Sequence, residues 1–148
     1  HLMIAQAIGQ MWQNNLGIHT SYRNIERSSF GDARRAQTFD IARGGWYGDY
    51  VDPTTWLDLL RSTDGNNDGK FDDPAYDNLL AQAATQPDPA KRFALLKNAE
   101  AIIVEQQFPL IPLYQYGDGL IFDANKIAGI DANDRLLTPL KWIHRKPK

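Results

Sequence analysis

The sequence predicts one α/β domain in which helices flank a mixed sheet. Apolar residues recur at helical spacing in Ile4, Ile8 and Trp12, and the segment that follows, residues 18–23, shows strand periodicity. Alternation of helices and strands along a chain is typical of α/β folds. With 148 residues, of which 43% are hydrophobic, the chain can bury the core of a single domain, residues 1–148.

Shorter patterns predict the remaining helices and strands. Residues 28–36 predict a short polar helix, and residues 39–42 a strand that leads into a glycine-rich loop. Later apolar segments predict strands at residues 109–116, 120–122 and 140–143, with a turn at residues 117–119 between the first two. Pro112 places the first of these strands at a sheet edge or a bulge, because proline cannot donate to a ladder.

Three Asp-Pro pairs predict three further helix starts, at Asp52-Pro53, Asp73-Pro74 and Asp88-Pro89. Aspartate accepts hydrogen bonds from the free amides of a first helical turn, and proline is tolerated there because its missing N–H would have no partner in the helix. We therefore interpret the three aspartates as helix caps.

Composition excludes several classes of function. The net charge is −2, and basic residues cluster only in residues 144–148, which we interpret as a solvated terminus. We therefore expect no nucleic acid among the partners. No apolar run approaches the length of a membrane helix, and the absence of cysteine excludes disulfides and thiolate chemistry.

The glycine-rich loop, residues 42–53, is the strongest candidate for a binding site. Three glycines within five residues let its backbone turn sharply and approach a ligand, while Arg43, Trp46, Tyr47 and Asp49 are displayed from it. Loops that follow strands are frequent positions for binding residues.

The segment Gly-Trp-Tyr-Gly-Asp-Tyr-Val-Asp-Pro, residues 45–53, resembles the C-terminal lobe of the oligopeptide-binding proteins, the family 5 solute-binding proteins of ABC importers. Segments 12–18, 39–43 and 109–114 occur in that family's order. The resemblance implies part of the C-terminal lobe of a two-lobed type II (cluster C) periplasmic binding protein. It also implies a longer exported protein, periplasmic or extracytoplasmic, with an N-terminal lobe outside this chain and room for a lipid anchor.

The resemblance also implies roles for individual residues. Asp49 occupies the position of the aspartate that takes the free α-amino group of the bound peptide, and Arg43 and Arg34 lie at positions near the peptide backbone or carboxylate. Trp46 and Tyr47 would contribute apolar contacts. The alternatives are that Asp49 pairs with Arg43 or caps a turn, that the arginines form structural ion pairs, and that Trp46 belongs to the core.

The function implied is capture of short peptides for delivery to the membrane permease subunits of an ABC importer. A protein that accepts many side chains must gain its affinity from the amino terminus, the backbone amides and the carboxylate of the peptide. Its side-chain pockets would be hydrated, since water adapts its hydrogen bonds to different groups.

A second motif resembles a calcium-binding loop. Oxygen ligands stand at EF-hand-like spacing between residues 64 and 72, but Ala75 occupies the position of the bidentate glutamate. No cofactor is required by this sequence, and calcium is an optional ligand; otherwise the segment is a solvated, turn-rich loop. The candidate metal ligands are Asp64, Asn66, Asp68, Lys70 and Asp72.

We expect no enzymatic activity, because the sequence lacks a nucleophile motif and a metalloprotease motif. Paired acids such as Asp49 with Glu100 or Glu105 leave a glycoside hydrolase as a remote alternative. Two further functions stay open: a calcium-stabilised binding module, and a family member that carries a non-peptide solute.

Overall fold

The computed structural model describes residues 1–117, 119–133 and 137–147. The chain divides into two compact units, His1–Ala42 and Arg43–Lys148. A single domain over residues 1–148 stays a prediction. None of the helices in these described residues is both long and apolar enough to cross a membrane.

The first unit contains two helices, α1 (Leu2–Leu16) and α2 (Arg27–Arg35). Gly17 ends α1 in the left-handed conformation (φ 69°), which glycine adopts at little cost, and its N–H donates to the Gln13 carbonyl. The segment after α1 packs on Gly9, where an added Cβ would lie 1.8 Å from the Tyr22 hydroxyl oxygen. Helix α2 confirms the predicted helix at residues 28–36 to within one residue at each end.

In its described residues, the second unit is built on three α-helices, α3 (Thr54–Leu57), α4 (Pro74–Thr85) and α5 (Pro89–Ala101). A 3₁₀ turn, Asp58–Leu60, continues α3, and a π-helical turn, Ile102–Gln106, continues α5. Asp73 caps α4 and Asp88 caps α5, each through backbone amides of the first turn, as the sequence predicts. The core lies where these helices meet and consists of Leu57, Tyr76, Leu80, Ala83, Leu96, Ala99, Ile102 and Ile103.

The sheet in the described part of the chain is smaller than predicted. It has two antiparallel strands, β1 (Ile127–Ala128) and β2 (His144–Arg145). With the helices it gives the mixed helix-and-strand class that the sequence predicts.

The individual strand predictions were wrong at residues 18–23, 39–42, 109–116, 120–122 and 140–143. The first four segments join no ladder, and the last forms a 3₁₀ turn, Leu140–Trp142. A strand needs a neighbour to satisfy its backbone groups, and strand periodicity in the sequence does not supply one. Within the predicted turn at residues 117–119, Asp118 lies outside the described residues.

The loop between α3 and α4 is closed by a buried asparagine. Asn67 is 2% exposed, and its amide group donates to the carbonyls of Arg61 (3.0 Å) and Phe71 (2.8 Å). Its carbonyl oxygen accepts the N–H of Phe71 (3.0 Å). Asn67 therefore satisfies three backbone groups that water does not reach easily.

Replacing this side chain should destabilise the second unit. We expect Asn67→Ala to lower the free energy of unfolding by about 2 to 3 kcal/mol, because partly buried backbone groups lose their partners. Urea unfolding followed by circular dichroism measures the change. The matched control is Asn66→Ala, an exposed neighbour, for which we expect a change within about 0.5 kcal/mol. Equal effects of the two substitutions would contradict this account of the loop.

Candidate functional site

The glycine-rich loop packs closely on α3, the helix that follows it. A Cβ added to Gly48 would lie 2.9 Å from Cζ2 of Trp56 and 3.3 Å from Cγ2 of Thr55. A side chain at position 48 would therefore force the Trp56 ring to shift, which favours glycine there. Beside this contact is an open cavity of about 290 Å³, lined by Gly48, Tyr50, Val51, Asp52, Pro53, Trp56 and Phe93.

Asp49 is held by its backbone and leaves its carboxylate exposed. Its N–H donates to Oγ1 of Thr55 (2.9 Å), a side chain that is 4% exposed. Within the described residues, the Asp49 carboxylate makes no hydrogen bond or ion pair. An exposed carboxylate on a fixed backbone can accept a cationic group from a ligand without first breaking an internal contact.

Unlike the carboxylate of Asp49, that of Asp52 is hydrogen-bonded within the fold. Its Oδ1 accepts hydrogen bonds from the N–H (3.0 Å) and the hydroxyl (2.7 Å) of Thr54, the first residue of α3. The helix begins one residue later than the Asp-Pro pattern predicts, so Pro53 and not Asp52 holds the N-cap position, although Asp52 still binds a first-turn amide. It also accepts a bidentate contact from Arg92 on α5, with Nη1–Oδ2 2.7 Å and Nη2–Oδ1 2.9 Å. The Arg92 hydrogen bonds hold the pKa of Asp52 well below its ordinary value of 3.8. Sequence reasoning missed Arg92, which is separated from Asp52 by 40 positions.

Arg43 lies in a cluster of tyrosines. Its Nη2 donates to the hydroxyl of Tyr116 (2.8 Å), and the Tyr114 hydroxyl donates to the same oxygen (3.0 Å). The ring of Tyr47 stacks on that of Tyr116, with centroids 5.8 Å apart. The hydrogen bonds from Tyr114 and Arg43 lower the pKa of Tyr116, whereas the bond that Tyr114 donates raises its own pKa. The cluster thus unites Arg43 and Tyr47 with two tyrosines that the sequence had assigned to a strand.

Trp46 and Arg34 are the other two candidate residues. Trp46 is 40% exposed, so it is not a fully buried core residue. Arg34 belongs to the first unit, where its guanidinium lies 5.6 Å from the centroid of the Phe30 ring. The arrangement within the second unit therefore brings Arg43 together with Tyr47 and fixes the backbone of Asp49.

The calcium-like loop is organised by hydrogen bonds between its own residues. Asp64 Oδ1 accepts from the backbone N–H (2.7 Å) and the side-chain amide (3.0 Å) of Asn66, and Asn67 closes the loop. In the portion of the chain that the structure describes, no three His, Cys, Asp or Glu side chains come close enough to hold a metal ion. Calcium binding by this loop stays a prediction.

Comparison with known proteins gives a consistent set of relatives. The family model described as "Bacterial extracellular solute-binding proteins, family 5 Middle" matches residues 1–68, which include Arg34, Arg43, Trp46, Tyr47 and Asp49. The periplasmic murein peptide-binding protein MppA of Escherichia coli (strain K12) is 43% identical over 119 residues, which are 80% of this chain and 22% of that protein. The oligopeptide-binding protein OppA of Bacillus subtilis (strain 168) is 40% identical over 126 residues, 84% of this chain and 23% of that protein.

A solved structure extends the similarity to nearly the whole chain. The X-ray crystal structure of a periplasmic oligopeptide-binding protein from Borrelia burgdorferi matches with a TM-score of 0.79 and 32% identity. That match covers 97% of this chain and 29% of the other. The chain spans between a fifth and a quarter of the length of the two curated relatives.

The Asp52–Arg92 pair should make stability depend on pH. Because the folded-state pKa of Asp52 is depressed, the pair stabilises the fold above the ordinary Asp pKa of 3.8 and loses this effect as the pH falls below it. We expect wild type to exceed Asp52→Asn in stability at pH 7, with the difference shrinking on acidification. Chemical unfolding at pH values from 7 down to about 2 measures it.

The control for this series is Asp32→Asn. Asp32 pairs with Arg35, but the two side chains are 77% and 66% exposed, so solvent screens the pair and we expect little change at any pH. A wild-type advantage over Asp52→Asn that stayed constant between pH 7 and pH 2 would contradict the role given to the pair.

Proposed function

Because this chain belongs to the bacterial extracellular solute-binding proteins of family 5, we propose that it forms part of a protein that captures short peptides for an ABC importer. Its fold is that of a region within a lobe of such a two-lobed binding protein. The relatives described above are peptide-binding or oligopeptide-binding proteins by name, which supports peptides as the substrate class.

The observation that carries the proposal is the state of Asp49. Its backbone is tied to a buried threonine, while the residue is exposed and its carboxylate makes no hydrogen bond or ion pair with the described residues. A carboxylate can hold the ammonium group at the start of a peptide by charge-assisted hydrogen bonds. Every peptide with a free amino terminus presents this group, so its recognition places no demand on side chains.

Arg43 would bind the backbone or carboxylate of the peptide. Its contact with the Tyr116 hydroxyl orients the guanidinium, and this group has further N–H donors for ligand oxygens. Trp46 and Tyr47 would supply exposed aromatic surface beside the bound chain. We include Arg34 as a further basic residue that contacts the peptide.

The proposal also covers location and partners. The relatives are periplasmic or extracellular proteins, and we place this protein outside the cytoplasm, with a lipid anchor as an optional attachment. Closure of two lobes over the peptide would present a distinct surface to the permease subunits. In a closed site the contact of Asp49 with the ammonium group gains strength, because less water screens it.

Calorimetry with a matched pair of peptides tests the role of Asp49. We expect the full-length protein that contains this chain to bind a short free peptide, and Asp49→Asn to lower that affinity about 10- to 100-fold, because a hydrogen bond between charged groups is lost. The N-acetylated peptide has no ammonium group, so the substitution should leave its weaker binding unchanged.

Asp131→Asn is the control, since it removes an exposed aspartate elsewhere in the second unit. Equal binding of free and acetylated peptides by wild type would overturn amino-terminal recognition. Failure to bind either peptide would overturn peptide capture and favour a non-peptide solute.

A further inference from the structure

Arg92 makes a long-range ion pair with the glycine-rich loop. It joins α5 to Asp52 across 40 positions of sequence, with two nitrogen–oxygen contacts of 2.7 and 2.9 Å. By contrast, the pairs Asp32–Arg35, Asp58–Arg61 and Asp123–Lys126 each join residues three positions apart. Side-chain exposure of 26% for Arg92 and 28% for Asp52 leaves their pair only partly screened by solvent.

A continuous set of contacts leads from Arg92 to Asp49. Asp52 accepts hydrogen bonds from Arg92 on both carboxylate oxygens, and its Oδ1 also accepts those from the N–H and hydroxyl of Thr54. The next residue, Thr55, is buried and accepts the N–H of Asp49. Arg92 itself is carried by α5, whose residues Leu96 and Ala99 belong to the core. The backbone of Asp49 is thus connected to α5 through three hydrogen-bonded steps, Asp49–Thr55, Thr54–Asp52 and Asp52–Arg92.

The pair also separates the chemistry of two neighbouring carboxylates. Asp49 and Asp52 stand on one short loop, and a ligand ammonium group could in principle bind either. Arg92 occupies both oxygens of Asp52 with its planar guanidinium, which matches a carboxylate in geometry and charge. The Asp49 carboxylate, by contrast, makes no hydrogen bond or ion pair with the described residues, so both of its oxygens can accept hydrogen bonds from a ligand.

We propose that Arg92 is a positioning residue for amino-terminal recognition: through Asp52 and the start of α3 it fixes Asp49, and it removes Asp52 as a competing acceptor. This inference rests on the proposed function of Asp49. Preorganisation of this kind reduces the ordering that a ligand must otherwise impose on binding. Arg92 does not touch the ligand in this scheme, so its effect is confined to ligands that use Asp49.

The test compares the affinities of the full-length protein for a short free peptide and for the N-acetylated form of the same peptide. We expect Arg92→Gln to lower the affinity for the free peptide about tenfold and to leave the affinity for the acetylated peptide unchanged, so that their ratio falls. Asp52→Asn, which keeps an acceptor for Thr54 but loses the charge, should reduce the ratio in the same way. The double variant should have the same ratio of affinities as Arg92→Gln, because both substitutions break the same Arg92–Asp52 contact.

Arg61→Gln is the matched control. Arg61 pairs with Asp58 in the same unit, and the exposed fractions of their side chains, 27% and 36%, are similar to those of Arg92 and Asp52. Within the described part of the chain, however, the Arg61 side chain makes no hydrogen bond or ion pair with the glycine-rich loop. Thermal unfolding of each variant, recorded in parallel, reports any general loss of stability. We expect Arg61→Gln to preserve the ratio of the two affinities whatever its effect on the melting temperature.

The outcomes are distinct. A wild-type protein that binds both peptides equally overturns the role of Asp49 and this inference with it. If wild type discriminates and Arg92→Gln discriminates equally well, the role of Asp49 stands and Arg92 is only structural. An equal loss of affinity for both peptides in Arg92→Gln also overturns the positioning role. Should Arg92→Gln fail to fold, Asp52→Asn and Arg92→Lys provide the same comparison, and an unchanged ratio in both overturns the inference.

Discussion

The second unit depends on a buried hydroxyl at the junction of its helices. Tyr76 on α4 is fully buried, packs edge-on against Phe71 and donates its hydroxyl proton to the Leu57 carbonyl at the end of α3. A short helix leaves its last carbonyls without partners, and this contact satisfies one of them. Burial raises the pKa of Tyr76 above its ordinary value of 10.0. Through this contact α4 holds the end of α3, and Thr55 on α3 holds the backbone of Asp49 in the glycine-rich loop. The loop is therefore linked to α4 through α3.

Local chemistry decided which parts of this fold could be predicted from the sequence. The capping by Asp73 and Asp88 was predictable because an aspartate before a proline satisfies helix amides within three residues. The strands were not, since a strand requires a partner that local periodicity does not identify. In residues 108–117 and 119–122, large apolar side chains such as Ile111 and Ile121 remain exposed, which is the pattern expected of strand residues without a neighbouring sheet.

The residues of the candidate site likewise fall into those that the sequence could identify and those that it could not. The resemblance of residues 39–43 and 45–53 to one family pointed to Arg43 and Asp49, and the comparisons establish membership of that family. Contacts over long separations left no trace in the sequence: Tyr116 lies 73 positions from Arg43, and Arg92 lies 40 positions from Asp52. Asn67 was hidden for another reason, because the EF-hand-like spacing drew attention to the oxygen ligands around it and not to a buried amide between them.

Two aspartates three positions apart can perform opposite tasks because their surroundings differ. Asp52 is partly buried and matched by a guanidinium and a helix start, so its charge is used within the fold. Asp49 is held only by its backbone, so its charge remains available at the surface. A receptor for peptides of many sequences would need this division, since a loop whose acids were both free would bind cations without a fixed orientation. In the proposed function, fixing one acid with the aid of the other would let a ligand group common to all peptides set the register of the whole bound chain.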